Sequence, residues 1–274
     1  MKKVSKKRIV ITGRTGLLGS YFYKKYKTKY KIISYPHRVE NLNHQKKWVR
    51  NKKFEYFIHF AALTKNNNKK KFLKINTIAT INLLKTLLKA KVSGLKYFLF
   101  ISSSHVYGFS NKSITENKKR MPINSYGKSK KKVEDYIIKN REKFNFKIGI
   151  ARIFNFTGYK QKRGFFISDM FNAVKTKNLF FDLNANRDFV HIDDICKSIN
   201  LIIRNHFTKP INISSGRKNS LIDIVKIINK KKFNKKINFN LKRQGDIYGN
   251  NKLLNSLGKK KFKPINQIIE SYIK

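Results

Sequence analysis

Short apolar runs and amphipathic segments alternate in the first part of the chain. Residues 8–12 (RIVIT) and 31–35 (KIISY) have the composition of strands, and the segment 16–26 between them has its apolar residues at helical spacing. A strand, a helix and a second strand in this order predict a βαβ unit.

The same alternation continues to residue 154. Further strands are predicted at 55–62, 97–104 and 147–154, and further helices at 42–52, 75–91 and 129–139. The run at 97–104, YFLFISSS, is apolar up to its three serines, which is typical of a strand buried on both faces of a parallel sheet. The expected fold class is therefore α/β, with a Rossmann-type doubly wound parallel sheet.

The pattern changes to shorter units after Phe156. Helices are predicted at 165–175, 192–203 and 265–274, and a strand at 210–215. We interpret this half as a smaller C-terminal α/β lobe that binds the substrate. The predicted division is a Rossmann-type domain over 1–155 and a substrate lobe over 156–274, with 185–205 packing back on the first domain.

Charge is the most unusual feature of the composition, since 64 Lys and Arg against 14 Asp and Glu give a formal net charge of +50. Such a surface attracts polyanions, so nucleic-acid binding through phosphate contacts is one interpretation. Attraction to an anionic substrate or a membrane surface is another. A third is compositional drift, because Lys, Asn, Ile and Phe share A/T-rich codons. The basic residues are spread along the chain, which favours drift, and no specific nucleic-acid partner is expected.

The cellular compartment is predicted from cysteine use and hydropathy. Cys196 is the one cysteine of the sequence, so no intrachain disulfide can form. No run approaches the roughly 18 apolar residues of a membrane span. These observations predict a protein of the reducing cytoplasm. No metal site is expected.

A glycine-rich loop, TGRTGLLG at 12–19, joins the first predicted strand to the first predicted helix. Gly13 permits a tight turn, Gly16 lets the backbone approach a pyrophosphate, and Gly19 lets the helix pack closely on the sheet. The bound anion would face a helix N-terminus. A plain strand-turn-helix junction is the alternative, and the βαβ context favours the dinucleotide site.

The end of the second predicted strand bears on the choice of cofactor. An acidic residue there would favour NAD by binding the adenosine ribose, but the segment SYPHRVE has His37 and Arg38 at that point. Arg14 adds a cation within the glycine loop. Because cations near the ribose suit a 2′-phosphate, NADP is expected ahead of NAD.

Tyr126 and Lys130 lie four residues apart in SYGKSK and so share one helical face. A phenol near pKa 10 is a poor acid or base at neutral pH, but an adjacent ammonium stabilises its phenolate. At an effective dielectric of about 20, a charge about 4 Å away contributes roughly 4 kcal/mol, or about 3 pK units. The pair could also be ordinary helix-surface residues. The serines that end the strand at 97–104 favour chemistry, since they place hydroxyls at the carboxyl end of the sheet.

These residues together resemble the extended short-chain dehydrogenase/reductase family, in its nucleotide-sugar epimerase, dehydratase and reductase branch. The resemblance runs almost the full length of the chain. It rests on TGRTGLLG (12–19), FIHFAA (57–62), NTIATINLL (76–84), SSSHVYG (102–108), PINSYGKSK (122–130), ARIFNFTG (151–158), RDFVHIDD (187–194), NISSG (212–216) and RQGD (243–246). It implies a nucleotide-diphosphate sugar as substrate. It also implies a possible homodimer through the helices near 76–90 and 126–140, although lysines crowd both segments.

The family's functional residues carry over by position. The resemblance implies Ser103 as the catalytic serine, with Ser102 or Ser104 as alternatives, Tyr126 as the acid/base and Lys130 as the lysine that holds the nicotinamide ribose and lowers the tyrosine pKa. The implied cofactor contacts are Gly13, Arg14, Thr15, Gly16, Leu17, Leu18, Arg38, Ala61, Ala62 and Lys130. The implied substrate contacts are Ser104, His105, Asn155, Arg187 and Arg243, of which the last three address the diphosphate.

The departures from the family pattern narrow the expected reaction. Members that eliminate water carry an Asp-Glu pair directly after the catalytic residue, and here Ser104 and His105 stand at those positions. A dehydratase is therefore not expected. His105 could transfer a proton to or from the sugar, or be structural, and His59 is interpreted as a packing residue.

The expected function is NAD(P)-dependent oxidoreduction of a nucleotide sugar, most simply reduction of a 4-keto-6-deoxy sugar with proton donation by Tyr126. The alternative is an NAD-dependent nucleotide-sugar 4-epimerase. A remote alternative is a non-catalytic Rossmann protein that binds polyanions.

Overall fold

The structure, a computed structural model, describes residues 5–50, 52–158, 161, 164–176, 183–237, 239, 245–259 and 261–273. Arg243, one of the predicted substrate contacts, lies outside the described residues. The chain forms two compact units. Unit 1 comprises residues 1–107, 120–152 and 199–211, and unit 2 comprises residues 108–119, 153–198 and 212–274. The domain boundary placed after residue 155 stays a prediction.

The strands are short and are numbered here in chain order. They are β1 (Arg8–Thr12), β2 (Lys31–Ser34), β3 (Tyr56–His59), β4 (Tyr97–Ser103), β5 (Lys147–Ile153), β6 (Asn155–Thr157), β7 (Asn186–Arg187), β8 (Phe189–His191), β9 (Pro210–Ile213) and β10 (Asn219–Ser220). Six of them form the main sheet in the order β2-β1-β3-β4-β5-β9.

The helices are numbered in the same way. They are α1 (Leu17–Tyr26), α2 (Leu42–Val49), α3 (Lys69–Phe72), α4 (Ala79–Lys89), α5 (Ser125–Lys139), α6 (Phe166–Thr176), α7 (Ile192–Arg204), α8 (Leu221–Lys232), α9 (Lys252–Ser256) and α10 (Ile265–Ile273). A π-helical segment, Leu73–Ile78, joins α3 to α4. Among the described residues, no helix combines the length and the apolar character needed to cross a membrane.

The order of the main sheet confirms the predicted fold class. Strands β2, β1, β3 and β4 run parallel, with Val10 of β1 opposite Ile33 of β2 on one side and Phe57 of β3 on the other. The chain moves outward from β1 to the edge strand β2 and then returns to β3 on the opposite side of β1. The loops that follow β1 and β3 therefore lie at the point where open α/β sheets bind ligands.

The core of unit 1 explains why these strands form a central sheet. Every residue of β4 is buried, and Phe98 stacks on Phe57 with ring centroids 5.2 Å apart. The buried face of α4 adds Leu83 and Leu87 to the same cluster. Full burial of one such side chain stabilises the fold by about 1.5–3 kcal/mol, so these residues fix the strand ends that carry the candidate site.

Unit 2 has a separate core in which α8 and α10 supply Ile224, Ile228 and Ile268. Its strands pair in twos, β6 parallel to β8 and β7 antiparallel to β10. Ser220 caps α8, since its hydroxyl accepts a hydrogen bond from the backbone N–H of Asp223.

Several predicted elements differ in their bounds from those observed. The helix expected at 129–139 begins earlier, at Ser125, and the helix expected at 42–52 ends at Val49. The strand expected at 55–62 ends at His59. The helix expected at 75–91 is preceded by further helical turns that begin at Lys69, because the side chain of Asn68 accepts a hydrogen bond from the backbone N–H of Lys70 and caps the segment there.

Candidate active site

The glycine-rich loop follows β1 and leads directly into α1. Gly13 has a φ of 65°, and a Cβ at this position would lie 2.7 Å from the backbone nitrogen of Ala61. A Cβ on Gly19 would run into the carbonyl oxygen of Gly13. The backbone N–H of Gly16 donates to that same oxygen at 3.0 Å. The loop therefore needs glycine at 13 for the turn and at 19 for the close approach of α1.

The other predicted cofactor residues of unit 1 differ in exposure. Arg14, Thr15 and Arg38 are exposed, Leu17, Ala61 and Ala62 are partly buried, and Leu18 is buried. The guanidinium of Arg14 lies over the ring of Tyr23, 3.8 Å from its centroid. Arg38 is 89% exposed and lies 3.8 Å from a carboxylate oxygen of Glu40, an ion pair that water screens strongly.

A buried polar chain fixes the loop to the strand beside it. Nδ1 of His59 lies 2.9 Å from the Thr12 hydroxyl, which accepts a hydrogen bond from the backbone N–H of Ala61. Nε2 of His59 lies 3.0 Å from the hydroxyl of Thr80 on α4. Burial, aided by the charge of Lys130, lowers the pKa of His59 to about 3. His59 is therefore neutral and holds β1, β3 and α4 together.

The structure brings Ser103, Tyr126 and Lys130 together where β4 ends and α5 begins. Lys130 is buried, and its ammonium donates a hydrogen bond of 2.7 Å to the carbonyl oxygen of Ile101. The same ammonium lies 4.7 Å from the ring centroid of Phe100 and 5.9 Å from that of Tyr126. The hydroxyl of Ser103 is hydrogen-bonded to the phenol of Tyr126.

The pKa values of the two α5 residues differ from the expectation. Burial raises the pKa of Tyr126 to about 12, and the hydrogen bond with Ser103 opposes this only in part. Burial lowers the pKa of Lys130 to about 7, and the nearby Glu134 carboxylate opposes that shift. In the chain itself burial is the largest influence on the tyrosine pKa, and the expected lowering by Lys130 stays a prediction.

An ion pair that the sequence analysis did not identify lies one turn beyond Lys130. Glu134 is fully buried and accepts hydrogen bonds from Arg152 of β5, from Arg120 at 3.0 Å and from the hydroxyl of Ser102 at 2.5 Å. Arg152 also donates to the phenol oxygen of Tyr107 at 2.7 Å. The sequence contained a signal for this ion pair. Glu134 interrupts the apolar face of a predicted helix, and Arg152 interrupts an apolar predicted strand.

Asn76, on the π-helical segment, is a second residue that the sequence analysis missed. Its amide accepts from the backbone N–H of Leu63 at 2.8 Å, donates to the Leu63 carbonyl at 2.9 Å and donates to the hydroxyl of Ser129 at 3.1 Å. Ser129 in turn donates to the carbonyl oxygen of Tyr126 at 2.7 Å. Asn76 therefore joins the segment after Ala62 to the turn of α5 that carries Tyr126. A π-helical turn at such a position is common near functional sites.

The two candidate substrate residues after Ser103 are held by local contacts. Ser104 is buried, and its carbonyl oxygen accepts a hydrogen bond from the backbone N–H of Tyr107. His105 is partly buried, its ring lies edge-on to Tyr126 with centroids 5.7 Å apart, and its backbone N–H donates to the Ser103 hydroxyl at 3.3 Å. Both residues therefore accompany the Ser103 and Tyr126 pair.

Asn155 and Arg187, two of the predicted diphosphate contacts, lie in unit 2. The amide of Asn155 donates to the carbonyl oxygen of Asp188 at 3.4 Å. The guanidinium of Arg187 donates to the carbonyl oxygens of Gly245 at 2.7 Å and Asn186 at 2.9 Å. Both residues are thus placed beside Asp188, and their role toward a diphosphate stays a prediction.

Asp188 organises this part of unit 2. Its buried carboxylate accepts hydrogen bonds from the backbone N–H and hydroxyl of Ser215 and from the backbone N–H groups of Gly216 and Gly249. Burial nevertheless raises the pKa of Asp188 to about 6. Through these bonds the strand segment next to Arg187 is fixed to two other loops of the unit.

Comparison with known proteins gives a consistent family. A family model described as the NAD dependent epimerase/dehydratase family matches residues 9–214. The GDP-6-deoxy-D-talose 4-dehydrogenase of Aggregatibacter actinomycetemcomitans is 29% identical over 234 residues, which cover 81% of this chain and 79% of that protein. The ADP-L-glycero-D-manno-heptose-6-epimerase of Brachyspira hyodysenteriae is 29% identical over 202 residues, which cover 69% of this chain and 62% of that protein.

Solved structures show the same fold. The structure of RMD from Pseudomonas aeruginosa, described as complexed with NADPH, superposes with a TM-score of 0.86 and covers 97% of both chains. Its sequence is 23% identical to this chain, so the likeness concerns the fold.

Proposed function

This chain belongs to the NAD dependent epimerase/dehydratase family. We propose that it reduces the keto group of a 4-keto-6-deoxy nucleotide sugar with NADPH. The observation that carries the proposal is the contact of Tyr126 with Ser103 at the carboxyl end of β4, beside the buried Lys130. A relative that acts at carbon 4 of a GDP-linked 6-deoxy sugar, over most of both chains, supports this substrate class.

The loop after β1 fits a dinucleotide. Gly13 and Gly16 carry no side chain, and the first turn of α1 has no acidic residue that would repel a pyrophosphate. Arg14 and Arg38 are exposed cations of the kind that a 2′-phosphate requires, which supports NADP ahead of NAD. We assign the binding of the pyrophosphate to this loop and the binding of the nicotinamide ribose to Lys130. When bound, the nicotinamide supplies the hydride that is added to carbon 4 of the sugar.

The proton chemistry is assigned to Tyr126. Its pKa of about 12 keeps the phenol protonated at neutral pH, so it can donate its proton to the oxygen that becomes an alkoxide as the hydride adds to the carbonyl carbon. The Ser103 hydroxyl donates a hydrogen bond to the same oxygen. The products are the 4-hydroxy sugar, the oxidised cofactor and a Tyr126 phenolate, which takes its proton back from solvent.

Three substrate assignments complete the proposal. Asn155, Arg187 and Arg243 are assigned to the sugar nucleotide's diphosphate, because planar guanidinium groups bind phosphate oxygens in pairs.

A cytoplasmic location is proposed from the lone, buried Cys196. We also propose a homodimer that forms through α4 and α5. Two exposed apolar residues support this surface, Ile78 directly before α4 and Ile138 on α5.

The second candidate function is a nucleotide-sugar 4-epimerase, which the family and the epimerase relative support. In that reaction the hydride returns to the opposite face of the same sugar, so no net cofactor is consumed. The two reactions differ in their first proton transfer, since the reductase phenol donates a proton whereas an epimerase must first remove one from the sugar hydroxyl.

The experiment that tests the proposed function is a turnover assay with GDP- and UDP-linked 4-keto-6-deoxy sugars and with UDP-glucose, at a salt concentration of about 0.15 M to screen the surface charge. A reductase consumes one NADPH for each sugar reduced. Epimerisation of UDP-glucose without net NADPH consumption would support the second candidate. Equal, salt-sensitive binding of NADPH, NADH and ATP without turnover would support the polyanion-binding alternative.

A further inference from the structure

The side chain of Asn124 is hydrogen-bonded both to the His105 ring and to the backbone, and the backbone contact determines which atom of the amide faces the ring. Asn124 is the N-cap of α5, and its side-chain oxygen accepts a hydrogen bond of 2.8 Å from the backbone N–H of Gly127. A backbone N–H can only donate, so the oxygen of Asn124 must face Gly127 and the amide nitrogen must face away from it. That nitrogen lies 2.8 Å from Nδ1 of His105.

The identity of these atoms fixes the tautomer of His105. An amide NH₂ group has two donors and no acceptor, so Nδ1 of His105 must accept the hydrogen bond. A neutral imidazole that accepts at Nδ1 carries its proton on Nε2. If Nδ1 also carried a proton, its N–H group would face the N–H group of Asn124 and the hydrogen bond would be lost. Asn124 therefore also opposes protonation of the ring.

The surroundings place this ring among the reacting groups. From α5, the Tyr126 ring meets His105 edge-on at 5.7 Å, and the Lys130 ammonium lies 5.9 Å from the centroid of that same Tyr126 ring. From the end of β4 come the hydroxyls of Ser103 and Ser104, and the Ser103 hydroxyl accepts from the backbone N–H of His105. The His105 ring therefore lies beside the ring of Tyr126.

We propose that Asn124 is the positioning residue that fixes the Nε2–H tautomer of His105, so that this ring, which the family resemblance implies as a substrate contact, meets the sugar as a neutral hydrogen-bond donor. The proposal rests on the proposed function, because it concerns the same sugar that Tyr126 and Ser103 address. It assigns no proton transfer to His105, since loss of the Nε2 proton would leave an imidazolate and gain of a proton would break the bond with Asn124. The ring then selects sugars that present an oxygen at this position.

Substitutions at residue 124 test the proposal without removing the helix cap, because Asp and Ser cap helices about as well as Asn. Asn124→Asp presents a carboxylate oxygen to Nδ1, so the proton is expected to move from Nε2 to Nδ1. Asn124→Ser keeps the cap and removes the contact with His105. Asn66→Asp is the charge control, since its exposed side chain can still accept from the backbone N–H of Asn68.

The first readout is nitrogen NMR of the full-length chain labelled at histidine, with the His105 signal assigned by its loss in His105→Gln. We expect the wild-type ring to be neutral with the proton on Nε2, and the Asn124→Asp ring to carry it on Nδ1. A wild-type ring with the proton on Nδ1, or one that is doubly protonated at neutral pH, would overturn the proposal whatever the activity.

The second readout is kcat/KM for the 4-keto sugar with saturating NADPH as a function of pH. Asn124→Asp is expected to lose about tenfold or more in kcat/KM, because its His105 ring no longer presents a donor at Nε2. His105→Ala should raise KM for the sugar, and His105→Gln, whose amide offers an N–H at a similar reach, should restore part of the loss. Unchanged KM and kcat in His105→Ala would overturn the sugar contact while leaving the proposed function intact. If the wild type did not reduce the sugar, both the proposed function and the sugar contact would be overturned. The tautomer of His105 is tested separately, because the NMR measurement does not depend on activity.

Discussion

The carboxylate of Glu134 receives the guanidinium of Arg152 side-on, through three N–H···O contacts between 2.7 and 3.1 Å, and both side chains are buried. The pair joins α5, one turn beyond Lys130, to β5. The hydroxyl of Ser102, next to Ser103, donates to the same carboxylate. One buried carboxylate therefore connects the elements that carry all three candidate catalytic residues.

Glu134→Gln is expected to lower the free energy of unfolding by about 3–5 kcal/mol, because it leaves the buried guanidinium of Arg152 without its counter-charge. Urea denaturation measures this change. Asp135→Asn removes a neighbouring, half-exposed carboxylate and should change the unfolding free energy by no more than about 1 kcal/mol. Equal effects of the two substitutions would show that the buried pair has no special role.

Lys130 predicts a pH dependence of stability. Its folded pKa of about 7 lies below the ordinary lysine pKa of 10.5, so the folded chain binds fewer protons than the unfolded chain between these values. The penalty for charging the buried ammonium is therefore fully present below pH 7 and disappears as the pH rises toward 10.5. Lys130→Met should raise the unfolding free energy by roughly 2–4 kcal/mol at about pH 6 and much less at about pH 10. The exposed Lys128→Met is the control, and a pH-independent difference between the two variants would contradict the account.

Gly13→Ala is expected to abolish saturable NADPH binding, measured by calorimetry, because the new Cβ would lie 2.7 Å from the Ala61 nitrogen and the φ of 65° disfavours a side chain. Gly258→Ala is a matched control. Gly258 also has a positive φ, 107°, but a Cβ there meets no atom within 4 Å. If both variants bound NADPH like the wild type, the loop would not be the dinucleotide site.

The alternation of apolar and polar residues predicted the parallel sheet well, because long buried strands and amphipathic helices leave clear periodic signals. β1 was predicted residue for residue, and α1 and β5 to within one residue. Strands of two or three residues, such as β7 and β8, carry no periodicity and could not be predicted. Their backbones are ordered by bonds to distant residues.

The sequence indicated which residues come together at the candidate site, but it did not indicate their pKa values. Burial controls the pKa of Tyr126, and helical spacing to Lys130 gives no measure of burial. The cap at Asn124 and the buried Glu134 act through contacts with residues 19 and 18 positions away, so their roles follow only from the folded chain. The helix α8 was not predicted either, although the sequence contained a usable signal for it, since Ser220 is followed by apolar residues at helical spacing.

Arg38→Ala is expected to weaken NADPH binding by about tenfold or more while leaving NADH binding unchanged, because the guanidinium is assigned to the 2′-phosphate that NADH lacks. Calorimetry at about 0.15 M salt measures both affinities. Arg50→Ala removes the same charge from the end of α2 and should affect the two cofactors equally. Equal losses for NADPH and NADH in Arg38→Ala would contradict the assignment of NADP.

Tyr126→Phe gives the most direct test of the account, when single-turnover reduction of a 4-keto-6-deoxy nucleotide sugar is measured beside NADPH binding. The account predicts a rate lower by about 10²–10⁴ with NADPH affinity unchanged, because the proton donor is lost and the dinucleotide loop is not touched. Tyr136→Phe, on the same helix, should match the wild type in both measurements. Reduction at the wild-type rate by Tyr126→Phe would show that this phenol does not supply the proton.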